Sequence, residues 1–143
     1  MLLQLAIGSL LLLLGTIYAG AGYLAMDMAI DRARPWLLRA PHMPKILLLL
    51  CGSMLWALAI VTVATWVWAI ALWALGVFVT FETALYFSMV AFTTLGFGDI
   101  LLPQEWRLLA GMSAVNGLLM IGFLTASLVE VLREVRRLQL ASE

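Results

Sequence analysis

The sequence predicts an all-α membrane protein, and three observations predict it. Of its 143 residues, 65% are hydrophobic and 11% charged, whereas a soluble domain carries about 25% charged residues. The charges are segregated, so that residues 1–26, 46–81 and 108–129 contain no Asp, Glu, Lys or Arg. Between the last two runs, a stretch free of Gly and Pro gives way abruptly to a Gly-Phe-Gly-Asp segment ending at Asp99. The same figures exclude other classes. Disordered chains have low hydrophobicity and disulfide scaffolds have paired cysteines, whereas Cys51 stands alone. Eight basic residues balance eight acidic ones, which leaves no electrostatic footprint for nucleic acid.

A helix crosses a hydrocarbon core of about 30 Å with about 20 apolar residues. Residues 1–26 supply the first transmembrane helix. Ala19-Gly20-Ala21 resembles a signal-peptide cleavage site, but the run lacks a basic start and exceeds the usual apolar length of about 7–15 residues, so the helix is expected to be retained. Gly8, Gly15 and Gly22 are spaced seven apart on nearly one face, and small residues let membrane helices approach closely. Residues 27–45 read as an irregular loop, because Arg32-Ala33-Arg34-Pro35 and Pro41-His42-Met43-Pro44 place prolines at both ends. Arg32, Arg34, Arg39 and Lys45 in this loop, with Arg133, Arg136 and Arg137 in the tail, predict a cytoplasmic loop and C-terminus and an external N-terminus.

The run 46–81 holds 36 residues, about 54 Å of helix. That is too long for one span, so an outer helix over about 46–72 is expected, followed by apolar chain still at membrane depth. Trp66, Trp68 and Trp73 fall where an interfacial aromatic belt would lie, and Trp56 nearer the middle, between helices or against lipid. The third span is an inner helix over about 105–132, with Asn116 expected in a hydrogen bond between helices. In the tail, 133–143, Glu130–Arg133 and Glu134–Arg137 are i,i+3 pairs that can carry the helix on.

A pore helix is expected over about 82–93, capped by Thr80 or Thr83, with Glu82 at its positive end. Twelve residues make about 18 Å of helix, half a bilayer. Then comes Thr93-Thr94-Leu95-Gly96-Phe97-Gly98-Asp99. Its glycines admit φ > 0, and irregular backbone at membrane depth is tolerated only where it lines a water-filled path or is buried in protein. Successive carbonyls and a threonine hydroxyl can replace the hydration shell of a cation.

This segment resembles the selectivity filter of potassium channels, whose common form is Thr-Val-Gly-Tyr-Gly-Asp. The likeness covers about residues 46–132: a half-membrane helix precedes the filter, Pro103 follows the aspartate, and the inner helix carries Gly117, Gly122 and Thr125-Ala126. Residues 1–45 lie outside it. The resemblance implies a homotetramer of four-fold symmetry around a central pore, embedded in the lipid bilayer of a bacterial-type plasma membrane and conducting K+ passively. It implies K+ at Thr94, Leu95, Gly96 and Phe97, outermost carbonyls from Gly98, and no organic cofactor. Thr93, Asp99, Tyr86, Phe87 and Val90 would support the filter, and Gly117 would be a hinge. Gly117, Ile121, Thr125 and Val129 recur at four-residue steps, and that face is assigned to the cavity below the filter.

The sequence departs from its relatives in a correlated way. Phe97 replaces the filter tyrosine and lacks its hydroxyl, while Phe87 and Ala91, expected to face it, offer no polar partner. Val90 stands where relatives carry a glutamate, and Tyr86 where they carry a tryptophan, so a Tyr86–Asp99 hydrogen bond is the expected polar tie. With Leu95 in place of valine, these changes leave two alternatives: a cation channel of relaxed Na+/K+ selectivity, or a non-conducting subunit with a vestigial filter. No catalytic constellation occurs, so neither an enzyme nor a small-molecule substrate is expected. His42 and Cys51 lack partners at metal-ligand spacing.

Overall fold

The computed structural model describes residues 1–37 and 42–140. They form α1 (Leu2–Leu37), α2 (His42–Ala74), α3 (Phe81–Phe92), a single 3-10 turn (Gln104–Trp106) and α4 (Arg107–Leu140). Helices α1, α2 and α4 are each long and apolar enough to cross a membrane, while α3 has 12 residues. The protein is an all-α membrane protein.

The elements run further than the sequence predicts. The expected loop at 27–45 is helical on both flanks, since α1 continues through Pro35 to Leu37 and α2 already begins at His42. Residues 27–34 contain neither Gly nor Pro, and Pro35 falls in the last turn of α1, so the bond it cannot donate is lost only at the end of the helix, which stops two residues later. Pro44 falls in the first turn of α2, where the backbone N–H groups have no intrahelical partner anyway. Arg39 and Pro41 lie outside the described residues. Helix α4 runs unbroken from Arg107 to Leu140, with Arg133 and Glu130 paired at 3.7 Å on its surface.

Helix α1 lies along both α4 and α2, and α3 is wedged between α2 and α4. The spaced glycines of α1 make its contacts possible: Gly8 meets Met112 and Leu109, Gly15 meets Asn116, and Gly22 meets Ile60. At the last of these, Trp56 Nε1 donates to the Gly22 carbonyl at 3.0 Å. Further along, Tyr23 stacks edge-on against Phe123, and Leu37 is buried, as are Val131 and Val135 of α4. At the opposite end, Gln4 Nε2 donates to the Glu105 carbonyl and Gln4 Oε1 accepts from the Leu108 amide at 3.3 Å. Leu108 lies in the first turn of α4, so this one side chain satisfies an amide that the helix itself leaves open.

The core gathers where α1, α2, α3 and α4 meet, around Leu11, Ile60, Trp68, Leu72, Phe92 and Leu109. Trp68 corrects the expected aromatic belt. It is 1% exposed, whereas Trp66 and Trp73 are half-exposed and each sits 6.0 Å edge-on from Phe81.

Candidate functional site

The chain reaches the site through two helix ends built alike. At the end of α2, the Val77 amide bonds the Leu72 carbonyl at 3.1 Å and the Gly76 amide bonds Trp73 at 2.9 Å, with Gly76 at φ 70°. This is a Schellman C-cap, which places a left-handed residue just past the helix and normally uses glycine there. After the turn, Thr80 caps α3: its φ is −112° and its hydroxyl accepts from the Thr83 amide at 3.2 Å. Ala84, Phe87, Ser88 and Phe92 turn the buried face of α3 toward α2 and α4.

Helix α3 ends in the same motif. The Leu95 amide bonds the Val90 carbonyl at 3.0 Å and the Thr94 amide bonds Ala91 at 2.9 Å. Here the left-handed position is held by Thr94, at φ 58°. A β-branched residue in that conformation is a genuine outlier, costing on the order of 1–3 kcal/mol, and such strain gathers at functional sites. The positive φ then recurs at every second residue, with Gly96 at 58° and Gly98 at 77°. Thr93 stays outside the alternation, its hydroxyl donating to the Met89 carbonyl at 2.7 Å. The carbonyl end of α3 brings its partial negative charge to Thr93 and Thr94, a polarity that favours a cation.

The backbone around this segment is held from behind by α4. Gly117 is buried, and a Cβ there would overlap the carbonyl of Phe92, the last residue of α3. The inner helix therefore touches the end of α3 backbone to backbone.

The sequence profile of a family described as ion channel matches residues 55–134, more than half of the chain. The chain belongs to this ion channel family. The match runs from α2 through α3 and the 93–99 segment into α4 and leaves α1 outside; it identifies a channel of the potassium-channel-like superfamily. Searches of curated proteins and of solved structures found no match.

Within the channel, the structure brings some expected site residues together and separates others. Tyr86 Oη donates to Asp99 Oδ2 at 2.7 Å, the contact expected from the sequence. That hydrogen bond, aided by backbone amides of Asp99 and Ile100, holds the Asp99 carboxyl below its ordinary value of 3.8. Because the folded-state pKa is lowered, the bond supports the site above about pH 4 and is lost as the pH falls through the lowered value. A Tyr86→Phe channel is expected to show shorter openings or faster inactivation in single-channel recordings, with ion selectivity unchanged. Unchanged open times would refute a supporting role for the bond.

Phe87 packs on Phe78 with centroids 5.4 Å apart, and Phe97 is 66% exposed within the chain. Val90 contributes its carbonyl, which accepts from the Leu95 and Gly96 amides. Gly117 is a point of close approach inside a continuous α4. Ile121 and Thr125 line a cleft of about 340 Å³ beside α2, with the Thr125 hydroxyl on the Ile121 carbonyl at 2.8 Å, and Val129 is half-exposed. Asn116 does not form the expected inter-helix bond through its amide nitrogen: Nδ2 is buried with no partner among the described residues. Sequence reasoning missed Gln4, although a lone amide in an uncharged apolar run is itself a signal. It also missed Ser88 and Ser113, which are fully buried with hydroxyls lacking a partner among the described residues; serine in a membrane helix carries no comparable signal.

Proposed function

We propose that this ion channel conducts K+ passively through a homotetrameric pore whose filter is four copies of residues 94–98. The observation that carries the proposal is the alternation of positive φ at Thr94, Gly96 and Gly98 with negative φ at Leu95 and Phe97. In a regular strand successive carbonyls point to opposite sides. Reversing the hand of every second residue turns them into one row, the arrangement that replaces an ion's hydration shell. One chain supplies one row, and a ring of carbonyls requires four. In this pore the Thr94 hydroxyl and carbonyl form the innermost site, and Leu95, Gly96 and Phe97 contribute the rings above it. Gly98 provides the outermost carbonyls. K+ is the only bound ion required, the channel resides in the plasma membrane, and the basic residues at the C-terminal end of α1, between it and the start of α2, and at the end of α4 orient its N-terminus outside and its C-terminus inside.

Flux into liposomes from the purified protein, with K+ and Na+ as alternatives, tests the proposal. K+ uptake well above Na+ uptake is expected, and Gly96→Ala should abolish it while leaving the helices intact, because φ 58° resists a Cβ. Equal uptake of the two ions by the parent protein would establish relaxed selectivity instead, and no uptake of either a non-conducting subunit.

With the cavity below the filter, the inner gate is a hydrophobic ring at Val129, extended by Leu132 one turn on. Such a constriction blocks ions by dewetting. Val129→Ser should raise resting K+ flux in the same assay; unchanged flux, with blockers reaching the cavity at rest, would move the gate elsewhere.

A further inference from the structure

We propose that Gln4 is a positioning residue for conduction, through which α1 braces the linker joining residues 93–99 to α4. This role rests on the reading of residues 94–98 as the conducting path, whichever ion passes. Gln4 is 8% exposed, while its neighbours Leu2 and Leu3 are 79% and 63% exposed. Burial is not forced on it. Gln104, Glu105 and Arg107, level with its contacts, are exposed and mark a depth at which polar side chains find water or headgroups. Gln4 instead turns inward, where its amide donates to the Glu105 carbonyl and accepts from the Leu108 amide at 3.3 Å. Both groups belong to the turn in which the 3-10 segment passes into α4. An amide side chain carries a donor and an acceptor side by side, so one residue closes both bonds where an aliphatic residue closes neither.

What lies between this tie and the 93–99 segment is held throughout. At the near end of the linker, Tyr86 donates to Asp99 at 2.7 Å. Further on, Ile100 packs against the core, Leu102 is buried in it, and the Trp106 amide bonds the Pro103 carbonyl at 2.8 Å. Just past the tie, Leu109 is buried against Gly8, one turn along α1 from Gln4. A short segment fixed at both ends and packed in between carries a displacement from one end to the other. The segment it leads to has need of bracing. Thr94 sits at φ 58°, and strained backbone persists only where its surroundings over-determine it. The family profile begins at residue 55, so this brace comes from outside the stretch that the profile matches.

The test uses the whole channel in nanodiscs and planar bilayers. Hydrogen–deuterium exchange of the 93–99 segment reads its bracing without any current, through the Leu95 and Gly96 amides that bond the Val90 carbonyl. Gln4→Leu is expected to speed exchange there about tenfold and to shorten channel openings by a similar factor, with exchange at the centre of α2 unchanged. Gly20→Ala on the same helix, where a Cβ meets nothing within 4 Å, should change neither. Gln4→Glu separates positioning from packing. A protonated carboxyl offers one donor and one acceptor, as the amide does, and an ionised one only accepts. Gln4→Glu should therefore match the parent where the new carboxyl is protonated and match Gln4→Leu where it is ionised. The Met1 amine, Glu105 and Arg107 beside the tie, and Asp99 beyond the linker, are present in every variant, so the parent's own pH profile accounts for them. Unchanged exchange at 93–99 in Gln4→Leu would overturn the proposal. So would a lower melting temperature with exchange and open times unchanged, the mark of a purely structural role, or a Gln4→Glu profile parallel to the parent's. A parent that passes no current, with the exchange difference intact, would count against the conducting path and for the brace.

Discussion

A Gly117→Ala channel is expected to keep its membrane helices and lose its ion flux. The added methyl would overlap the Phe92 carbonyl, and neither side of the contact can give way by turning a side chain, because both are backbone. Either α4 moves outward or the end of α3 moves, and Phe92 is fully buried immediately before Thr93 and Thr94. Overpacking of this kind costs about 1–3 kcal/mol, occasionally more. The displacement falls immediately before residues 94–98. The matched control is Gly122→Ala, where nothing lies within 4 Å of the new Cβ and where flux and melting temperature should change little. Normal flux from Gly117→Ala in liposomes would show that the close approach has no bearing on conduction.

Thr94→Gly is expected to move stability and function in opposite directions. At φ 58° the threonine is strained, by on the order of 1–3 kcal/mol. Glycine relieves that strain but gives the unfolded chain more freedom, which costs about 0.4–1 kcal/mol in return. The melting temperature should therefore rise modestly, while the proposed preference for K+ over Na+ should collapse with loss of the hydroxyl proposed as the innermost ligand. Gly76 shows what the same cap looks like when only the turn is needed. A variant that is less stable, or that retains full selectivity, would remove the case for Thr94 as a ligand held under strain.

The short helix α3, its Thr80 cap and the change of backbone character just past its end were all legible in the sequence, because each rests on chemistry within a few residues. The Tyr86–Asp99 bond was legible through the resemblance, because Tyr86 stands where relatives carry a tryptophan that bonds the filter aspartate. The helix ends at Pro35 and Pro44 were misread. Proline costs a helix little in its first turn, as at Pro44, and lets it run only a residue or two further, as at Pro35, and the sequence shows the proline but not the turn it occupies. Trp68 was misplaced because three tryptophans close together look alike in sequence, and only the packing of α1 and α4 decides which one is covered. Gly117 stands out in sequence as a small residue in a long helix, which suits a bend or a close approach equally. The carbonyl it faces belongs to a different helix, and no local pattern discloses that.

The contact between Gln4 and Leu108 joins residues 104 positions apart, and this bears on how the protein is made. Synthesis delivers α1 before α4, and the parts of a chain made early must wait for partners that do not yet exist. Throughout the production of α2 and α3, the face of α1 bearing Gly8 and Gly15 has only lipid to touch, and the Gln4 amide lacks both of its final partners. The arrival of α4 supplies these contacts after residues 93–99 are already complete in sequence. Ribosome stalling before residue 107 should thus yield an inserted but open chain, making the last helix the step that commits the nascent protein to its native form.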